Sequence, residues 1–523
     1  MSKRCLSIAL GVALGLGGLC ATRLASAQSA RALREQDAVA AAVMANPTLH
    51  VALLRAQQGR YSLRAEEALY TPVFDANAGY THSRTPSLYQ PQGGEPGTIV
   101  RGSDVFDVGA GLTKPFAYGT VLSATVSGQR SSRPSLEQSA LLGVNGSSYG
   151  VLGRLSATQP LLRGAGTEVG LASLRQARLS LTADQLAAQQ TASELLSQVV
   201  SAYWELWYSG EAVRINEASR ELAKVQQEQA KQQVQSGALA PASALPYATQ
   251  VAQLEEAVLA AKTDVRQREL ALSQLLGDGR AVGQSLAAAD APAPPREDEL
   301  VETRAVNEAL ANSYARKQLQ TQLAILKDQL KISGDPLRPR LDLDAYVQAQ
   351  GLGNGRVPPA FQQFGQMDAV SAHVGLTFEM PLSDTRRTSQ IQAAQLAAHV
   401  AEKQIEEQEL AIRSSVASAV AQRRAAGERL VLAGETAKVA QAQADAERAR
   451  FQAGGSIAIA VQQAEDSLRQ AQLREQRARV DLVLAELALA QLRGQLLARY
   501  ADAVKGLPAE QRVELQNGAT GDF

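Results

Sequence analysis

Two long stretches without proline constrain the fold more than any other feature of this sequence. Residues 161–240 and 382–507 contain no proline, although prolines occur before, between and after them. Proline inside an α-helix removes a hydrogen bond and clashes with the preceding turn, so long helices exclude it. Both stretches are rich in Ala, Leu, Gln, Glu and Arg, which favour helix. The sequence therefore predicts two helical blocks much longer than the helices of a typical globular domain.

Apolar residues recur in these blocks with the spacing of a coiled coil. From Leu171 to Asn216, ten of the fourteen heptad a and d positions are apolar, and from Leu468 to Arg499 eight of ten are. Such a seam lets one helix pack along another over many turns. The segments around Gly237 and Gly454 match each other as helix-ending turns. We therefore predict two long antiparallel helical hairpins with tips near 237 and 454.

Elsewhere the period of the apolar residues changes to two, which is typical of strands. The alternating runs are residues 73–81, 105–113, 120–127, 151–158, 341–349 and 372–380. Each run has one apolar face and one polar face, and aromatic residues are concentrated in the same regions, as in a membrane barrel with rings at its interfaces. A soluble β-sandwich would need larger inward-facing residues. We interpret the Gly-, Ser- and Pro-rich segments 83–104, 129–148 and 351–368 as long loops.

The two halves of the chain repeat each other, which divides it into four parts. In each half a proline precedes the first strand (Pro72, Pro339) and another follows the last (Pro160, Pro381). Residues 291–295 (Ala-Pro-Ala-Pro-Pro) resemble a linker. The predicted parts are a signal peptide (1–27), a first repeat (28–290) with strands within 73–158, a second repeat (291–503) with strands within 341–380, and a C-terminal tail (504–523). Each repeat has a helix, then strands, then a helical hairpin.

The N-terminus has the three parts of a secretory signal peptide. Basic Lys3 and Arg4 precede an apolar run over residues 6–19, and Ala25-Ser26-Ala27 forms a cleavage site before Gln28. The apolar run is shorter than the roughly 20 residues that a membrane-spanning helix needs. We therefore predict cleavage before Gln28 and export from the cytosol.

Charge and residue usage exclude several classes of function. Lys and Arg together number 52, as do Asp and Glu, so the basic excess of a nucleic-acid-binding protein is absent. Both cysteines, Cys5 and Cys20, lie inside the signal peptide, and Leu19 argues against lipidation of Cys20. The four histidines are scattered without metal-binding spacing, and no nucleophile or phosphate-loop motif occurs. We expect no enzyme activity, metal or cofactor.

In this order of elements, the chain resembles the outer-membrane efflux protein family, the TolC-like channels, over almost its whole mature length. The resemblance rests on the duplication, the proline-bounded strands, the two glycine turns, the Pro-Leu-Leu-Arg-Gly run at 160–164 and Ala-Tyr-Trp-Glu-Leu at 202–206. It implies a mainly α protein with duplicated coiled-coil hairpins, whose strands contribute to a trimeric outer-membrane β-barrel in contact with lipid. The implied partners are a periplasmic adaptor (membrane fusion) protein and an inner-membrane pump.

The function implied by the resemblance is a passive exit duct of a tripartite efflux or type I secretion system, for small molecules or polypeptides. Its barrel would lie in the outer membrane and its helical tunnel in the periplasm. The alternative is a periplasmic coiled-coil adaptor or scaffold protein. An adaptor typically has one helical hairpin flanked by compact β domains, whereas this sequence predicts two hairpins.

The resemblance also suggests functional positions at the hairpin tips. The predicted adaptor-docking residues are Gly237, Ala238, Leu239, Gly454, Gly455, Ser456 and Ile457. Ordinary helix capping is enough to explain the two turn glycines, Gly237 and Gly454. Matched by spacing, the periplasmic aperture would lie at Ala460 and Gln463, where well-known family members carry acids. The nearest acids here are Glu465 and Asp466, so we expect no strong acidic ring.

The sequence departs from the family in the number of strands. The first repeat has four strand-like runs where the common pattern has two. Either the barrel is larger, or the extra hairpin around Tyr118-Gly119 lies outside the membrane. We favour the second alternative.

Overall fold

The computed structural model describes residues 31–89, 94–132, 146–237, 239–277, 285–293, 301–380, 382 and 384–516. Three predicted parts lie wholly or partly outside the described residues: the signal peptide, residues 294 and 295 of the linker, and residues 517–523 of the tail. Every statement about the structure below concerns the described ranges.

Long helices alternate with a single large sheet in the described part of the chain. The longer helices are α1 (Glu35–Ala45), α2 (Pro47–Ala68), α3 (Ala172–Gln235), α4 (Leu245–Leu276), α5 (Glu302–Asn312), α6 (Tyr314–Ser333), α7 (Pro358–Gln366), α8 (Thr385–Gln452), α9 (Ala458–Leu492) and α10 (Ala509–Gln516). The strands are β1 (Arg31–Leu33), β2 (Val73–Tyr89), β3 (Gly97–Pro115), β4 (Val121–Ser132), β5 (Ser147–Pro160), β6 (Leu286–Ala288), β7 (Arg340–Asn354) and β8 (Ala369–Glu379). Shorter helical segments are Thr167–Gly170, Pro241–Ala244, Asp335–Leu337, Leu496–Arg499 and Ala501–Lys505.

The two helical hairpins confirm the prediction from the proline-free blocks. In the first hairpin α3 packs against α4, and in the second α8 packs against α9. With 64 and 68 residues, α3 and α8 are each about 100 Å long at 1.5 Å per residue. Between α8 and α9 the buried contacts are mostly alanines. Small side chains let the two helix axes approach closely, which explains the alanine-rich composition.

Six strands form one antiparallel sheet in the order β2-β3-β4-β5-β7-β8. All six predicted strands are confirmed, but several extend further than predicted. Segments 83–89, 97–104, 129–132 and 351–354, predicted as loops, belong to strands, and α7 occupies much of the predicted loop 351–368. Glycine and serine weaken a strand by themselves, and here cross-strand pairing overrides that tendency.

The extra hairpin of the first repeat is part of this sheet. A turn over residues 116–120 joins β3 to β4, and Gly119 in the turn has a φ of 93°. The register continues without a break from β2 through β3 and β4 to β5. Because β3 and β4 lie between the other strands, the structure favours a larger sheet over the alternative that sequence analysis preferred.

The two faces of the sheet differ in chemistry. One row across the strands is Phe74, Leu112, Ala124, Leu155 and Val347. The neighbouring row, which points to the other side, is Asp75, Gly111, Thr125, Arg154 and Gln348. We call these sides the apolar face and the polar face. The apolar face is open in the protomer, where Phe74 is 71% exposed.

The largest core surrounds α3 between Ala188 and Leu206. Helices α1, α2 and α10 pack against α3 there, and Leu49, Leu53, Val199 and Tyr203 are fully buried. Strand β1 pairs in parallel with β6, which brings together the two ends of the predicted first repeat. The proposed division at residues 290 and 291 stays a prediction.

In the described part of the chain, no single helix is both long enough and apolar enough to cross a membrane. Only α1 and α2 taken together, with a bend of 49° between them, meet those criteria of length and composition.

Candidate docking tips and the polar seam between the hairpins

Both hairpin tips are built on a glycine in the left-handed region. Helix α3 ends at Gln235, and Gly237 follows with a φ of 73°; α8 ends at Gln452, and Gly454 follows with a φ of 76°. This conformation lets the backbone N–H groups after each helix bond to its last carbonyls, as in the 2.8 Å bond from Gly455 N to Arg450 O. The two predicted turns are therefore confirmed as structure. Their role in docking is a separate question.

The predicted tip residues differ in how they are presented. Ile457 is 67% exposed, whereas Leu239 is half-buried because the chain turns back into the Pro241–Ala244 segment. Ser456 donates a hydrogen bond to Glu447. Ala238 lies outside the described residues.

Two further apolar residues near the tips were missed by sequence analysis. Leu245, at the start of α4, and Ile459, at the start of α9, are both exposed. They begin the returning helices, so their apolar side chains lie close to the turns in each hairpin. Both residues follow the turn glycines closely in the sequence, and this nearness could have indicated that they are exposed at the tips.

The predicted aperture residues lie on the first turn and a half of α9. Ala460 is half-buried and Gln463 is exposed. The nearby acids are both paired: Glu465 accepts a hydrogen bond from Arg448 at 3.1 Å, and Asp466 pairs with Arg469 at 2.5 Å. These pairs neutralise the acids that lie closest to the predicted aperture within the protomer.

A row of polar contacts joins α3 of the first hairpin to α9 of the second. Gln226 Nε2 donates to Glu465 Oε1 at 2.8 Å, Arg469 donates to Asn216 Oδ1 at 3.0 Å, and Arg477 donates to Glu205 Oε2 at 3.0 Å. We call this row the polar seam; its members are Glu205, Asn216, Gln226, Glu465, Arg469 and Arg477. The α3 members are ten or eleven residues apart, which is about three helical turns.

Each level of the polar seam is held from more than one direction. Arg448 of α8 reinforces Glu465, and Arg268 of α4 lies 3.6 Å from Glu205. The Arg477 guanidinium also lies over the ring of Tyr208, 5.3 Å from its centroid. Close to the tips, the hairpins enclose a groove of about 520 Å³ lined in part by Gln229, Tyr247 and Phe451. The seam can therefore hold the two hairpins side by side while leaving a gap near their tips.

The described residues contain no group of three or more His, Cys, Asp or Glu side chains placed to hold a metal ion. The acids of the polar seam bond to arginine and amide groups instead. Such an arrangement can lock or release contacts between helices.

Residues 305–495 match the sequence profile of the outer membrane efflux protein family. The match falls inside the predicted second repeat, and it includes α8, α9 and the strands β7 and β8. No curated protein sequence matches the chain.

Several solved outer-membrane channels share the fold of both repeats. The outer-membrane channel OprN is 18% identical, with a TM-score of 0.63 over 88% of this chain and 89% of that chain. VceC from Vibrio cholerae is 15% identical, with a TM-score of 0.63 over 88% of this chain and 96% of that chain. The Campylobacter jejuni channel CmeC is 12% identical, with a TM-score of 0.67 over 91% and 90%. The mainly helical fold with two long hairpins and a strand sheet, predicted from the family resemblance, is therefore confirmed over most of the chain.

Proposed function

We propose that the protein is the outer-membrane channel of a tripartite efflux or type I secretion system, acting as a passive trimeric exit duct. The observation that carries the proposal is the junction of two structures in one chain. A sheet with one apolar face continues directly into helical hairpins about 100 Å long. The sheet suits a membrane and the hairpins suit a passage across an aqueous compartment.

The open edges of the sheet support assembly of several copies. Strands β2 and β8 form its two edges, and each has one side without a strand partner in the protomer. Lipid cannot satisfy backbone N–H and C=O groups, so a sheet in a membrane must close on itself. Three copies of a six-stranded sheet would form a barrel of 18 strands. Barrels of that size enclose a water-filled channel.

The height of the apolar face agrees with a membrane barrel. On β2 the aromatic residues Phe74 and Tyr80 bound the apolar band, and six residues of strand span about 20 Å. Beyond Tyr80 the same face becomes polar, with His82 bonded to Asp104 at 2.6 Å. The outward band of outer-membrane barrels is about 25 Å tall and is flanked by aromatic residues. The apolar face would then contact lipid and the polar face would line the channel.

The hairpin tips would meet a periplasmic adaptor, which in turn contacts an inner-membrane pump. Leu239, Ile457 and the two exposed residues Leu245 and Ile459 offer apolar contacts at the tips. Ala460 and Gln463 would lie at the periplasmic aperture, where their side chains bring no charge. The proposal includes no chemical step in this chain, because the energy for transport would come from the pump.

Membrane fractionation tests the proposal. Inner and outer membranes are separated by density, washed with alkaline carbonate, and the detergent-extracted protein is sized. We expect a carbonate-resistant trimer in the outer membrane. A soluble or inner-membrane species would refute the channel and favour the periplasmic adaptor or scaffold.

Arginine substitutions on the two faces of the sheet test its orientation. Ala110→Arg and Val374→Arg place a charge on the apolar face and should abolish insertion, because such a charge costs about 2–4 kcal/mol at the middle of the membrane. Thr125→Arg on the polar face is the matched control and should insert normally. Normal insertion of both apolar-face variants would show that this face does not contact lipid.

A further inference from the structure

Helix α7 is a short helix between β7 and β8, at the end of the sheet opposite the helical hairpins. Pro358 and Pro359 begin it, which suits a first helical turn, and Met367 ends it with a φ of 55°. Its sequence, Pro-Pro-Ala-Phe-Gln-Gln-Phe-Gly-Gln, contains no ionisable side chain. Strand β8 follows two residues later.

This helix packs against the apolar face of the sheet. Three glycines on that face lie beneath it: Gly153 on β5, and Gly351 and Gly353 on β7. An added Cβ would lie 1.9 Å from Ala360 O at Gly351, 2.1 Å from Arg356 O at Gly353, and 2.8 Å from the Phe364 ring at Gly153. Because these glycines have no side chains, α7 can pack directly on the backbone of two neighbouring strands. We call this surface of Gly153, Gly351 and Gly353 the seat of α7.

The cross-strand register fixes the height of this seat. Gly353 ends the row that contains Tyr80, Phe106, Arg130 and Tyr149, which is the last row of the apolar face before it becomes polar on β2. The Arg130 guanidinium lies over the Tyr149 ring, 5.7 Å from its centroid. Aromatic residues and long basic side chains are typical of a membrane interface. Helix α7 thus begins at the upper border of the apolar band, the border away from the hairpins, and Phe364 over Gly153 reaches two rows further into the band.

The outer side of α7 is uncharged and carries exposed apolar residues beside the exposed glutamines Gln362 and Gln366. Phe361 is 57% exposed and Met367 is 69% exposed in the protomer. An open groove of about 470 Å³ lies beside the helix on the apolar face, and its lining includes Leu155, Val347 and Val370. Phe361 and Met367 therefore extend the apolar surface of the neighbouring strands onto the helix.

We propose that α7 is an interfacial membrane helix, seated on the outside of the barrel with Phe361 and Met367 among the acyl chains of outer-leaflet lipid. This proposal rests on the proposed function, which places the apolar face against lipid. A helix without charge that lies on that face, at its upper border, meets the same lipid as the strands around it. It replaces the side chains that the three glycines lack, so that the barrel wall is thicker at this point.

Spin labels at single cysteines test this placement in the assembled protein. Both cysteines, Cys5 and Cys20, lie in the predicted signal peptide, so Phe361→Cys gives the mature chain a single thiol, which is labelled before the protein is placed in vesicles of phosphatidylethanolamine and phosphatidylglycerol. Collision with oxygen, which dissolves in lipid, is compared with collision with a water-soluble nickel chelate. Val374→Cys on the apolar face and Gln350→Cys on the polar face are the controls.

We expect the oxygen-to-nickel ratio at position 361 to resemble that at 374 and to exceed that at 350 several-fold. A ratio at 361 like that at 350, with 374 still in lipid, would overturn the interfacial helix and leave the channel intact. A label at 374 that collides mainly with nickel would overturn the proposed function itself, and the interfacial helix with it.

Discussion

Tyr203 offers a sharp test of how the central core is held together. Its side chain is 0% exposed, and its hydroxyl accepts a hydrogen bond from the Asp290 N–H at 3.0 Å. The hydroxyl also lies 3.1 Å from both Leu33 O and Asp290 Oδ2, and it can donate to one of them. Tyr203 thereby connects α3 to β1 and to the segment after β6. It ties both ends of the first repeat to the long helix.

Removing this hydroxyl should destabilise the core at neutral pH. Tyr203→Phe keeps the ring but leaves the Asp290 N–H without its partner, whereas Leu33 O and Asp290 Oδ2 still accept from the N–H groups of Ala289 and Glu35. An unsatisfied buried polar group costs about 1–3 kcal/mol, so we expect the free energy of unfolding to fall by that amount. The two tryptophans of the chain are Trp204 and Trp207, and the Trp204 ring lies 5.2 Å from the Tyr203 ring. Tryptophan fluorescence during denaturation therefore reports on this core.

The same variant should behave differently at alkaline pH. Burial raises the pKa of Tyr203 from 10.0 to about 12. Because the folded-state pKa is raised, the associated stability is fully present below pH 10 and is lost as the pH rises to about 12. A difference of this size between the two states corresponds to about 3 kcal/mol. The wild-type protein should therefore lose more stability than Tyr203→Phe between pH 10 and pH 12. The difference between their free energies of unfolding should become smaller over this range.

The assay is denaturant unfolding at several pH values and one fixed protein concentration, because the stability of an oligomer depends on concentration. Tyr61→Phe, at a tyrosine that is 65% exposed, is the matched control and should change neither the free energy of unfolding nor its dependence on pH. A stability difference between wild type and Tyr203→Phe that stays constant from pH 8 to pH 12 would refute the idea that ionisation of Tyr203 lowers the stability. No difference at neutral pH would refute the role of the hydroxyl.

Three further predictions concern the seam, the seat of α7 and the second repeat. Glu465→Ala removes an acceptor shared by both hairpins, so it should lower the free energy of unfolding by about 1–3 kcal/mol and raise single-channel conductance in planar bilayers. Unchanged conductance would show that the polar seam does not control channel opening. Gly351→Val should displace α7 and move a label at Phe361 from lipid to water, and a label that stays in lipid would contradict the glycine seat. The Arg493 hydrogen bond lowers the pKa of Glu308 below its ordinary 4.5, so its stabilisation is present above that pH and lost in acid. Glu308→Gln should therefore narrow the difference between denaturation midpoints at pH 7 and pH 3, and an unchanged difference would exclude this pair as a source of acid sensitivity.

Much of the fold could be predicted because its signals are local. The absence of proline over residues 161–240 and 382–507 and the heptad spacing predicted the hairpins, and Gly237 and Gly454 marked their turns. Alternation predicted the six strands. Their ends were harder to place, because serine, threonine and proline in segments such as 83–89 are equally common in loops. Only pairing with the neighbouring strand decides such a case.

The candidate sites depended on contacts between distant parts of the chain. Gln226 and Glu465 are 239 positions apart, and nothing near either residue predicts that they meet. Sequence analysis treated Glu465 as an acid displaced from the expected aperture, whereas the structure shows it as the meeting point of three helices. Helix α7 was predicted as loop because the surrounding segment 351–368 is rich in glycine and proline. The glycines that seat it lie on two strands, one of which is far away in the sequence.

The sequence by itself therefore determined the types of element, the duplication and the family resemblance, because backbone propensity, periodicity and turn chemistry act over a few residues. The tertiary structure decided which strands are neighbours, which side of the sheet carries α7 and which polar groups join the two hairpins. These outcomes depend on register and on contacts between residues more than 200 positions apart, where a shift of one residue would turn each strand's side chains to the opposite face.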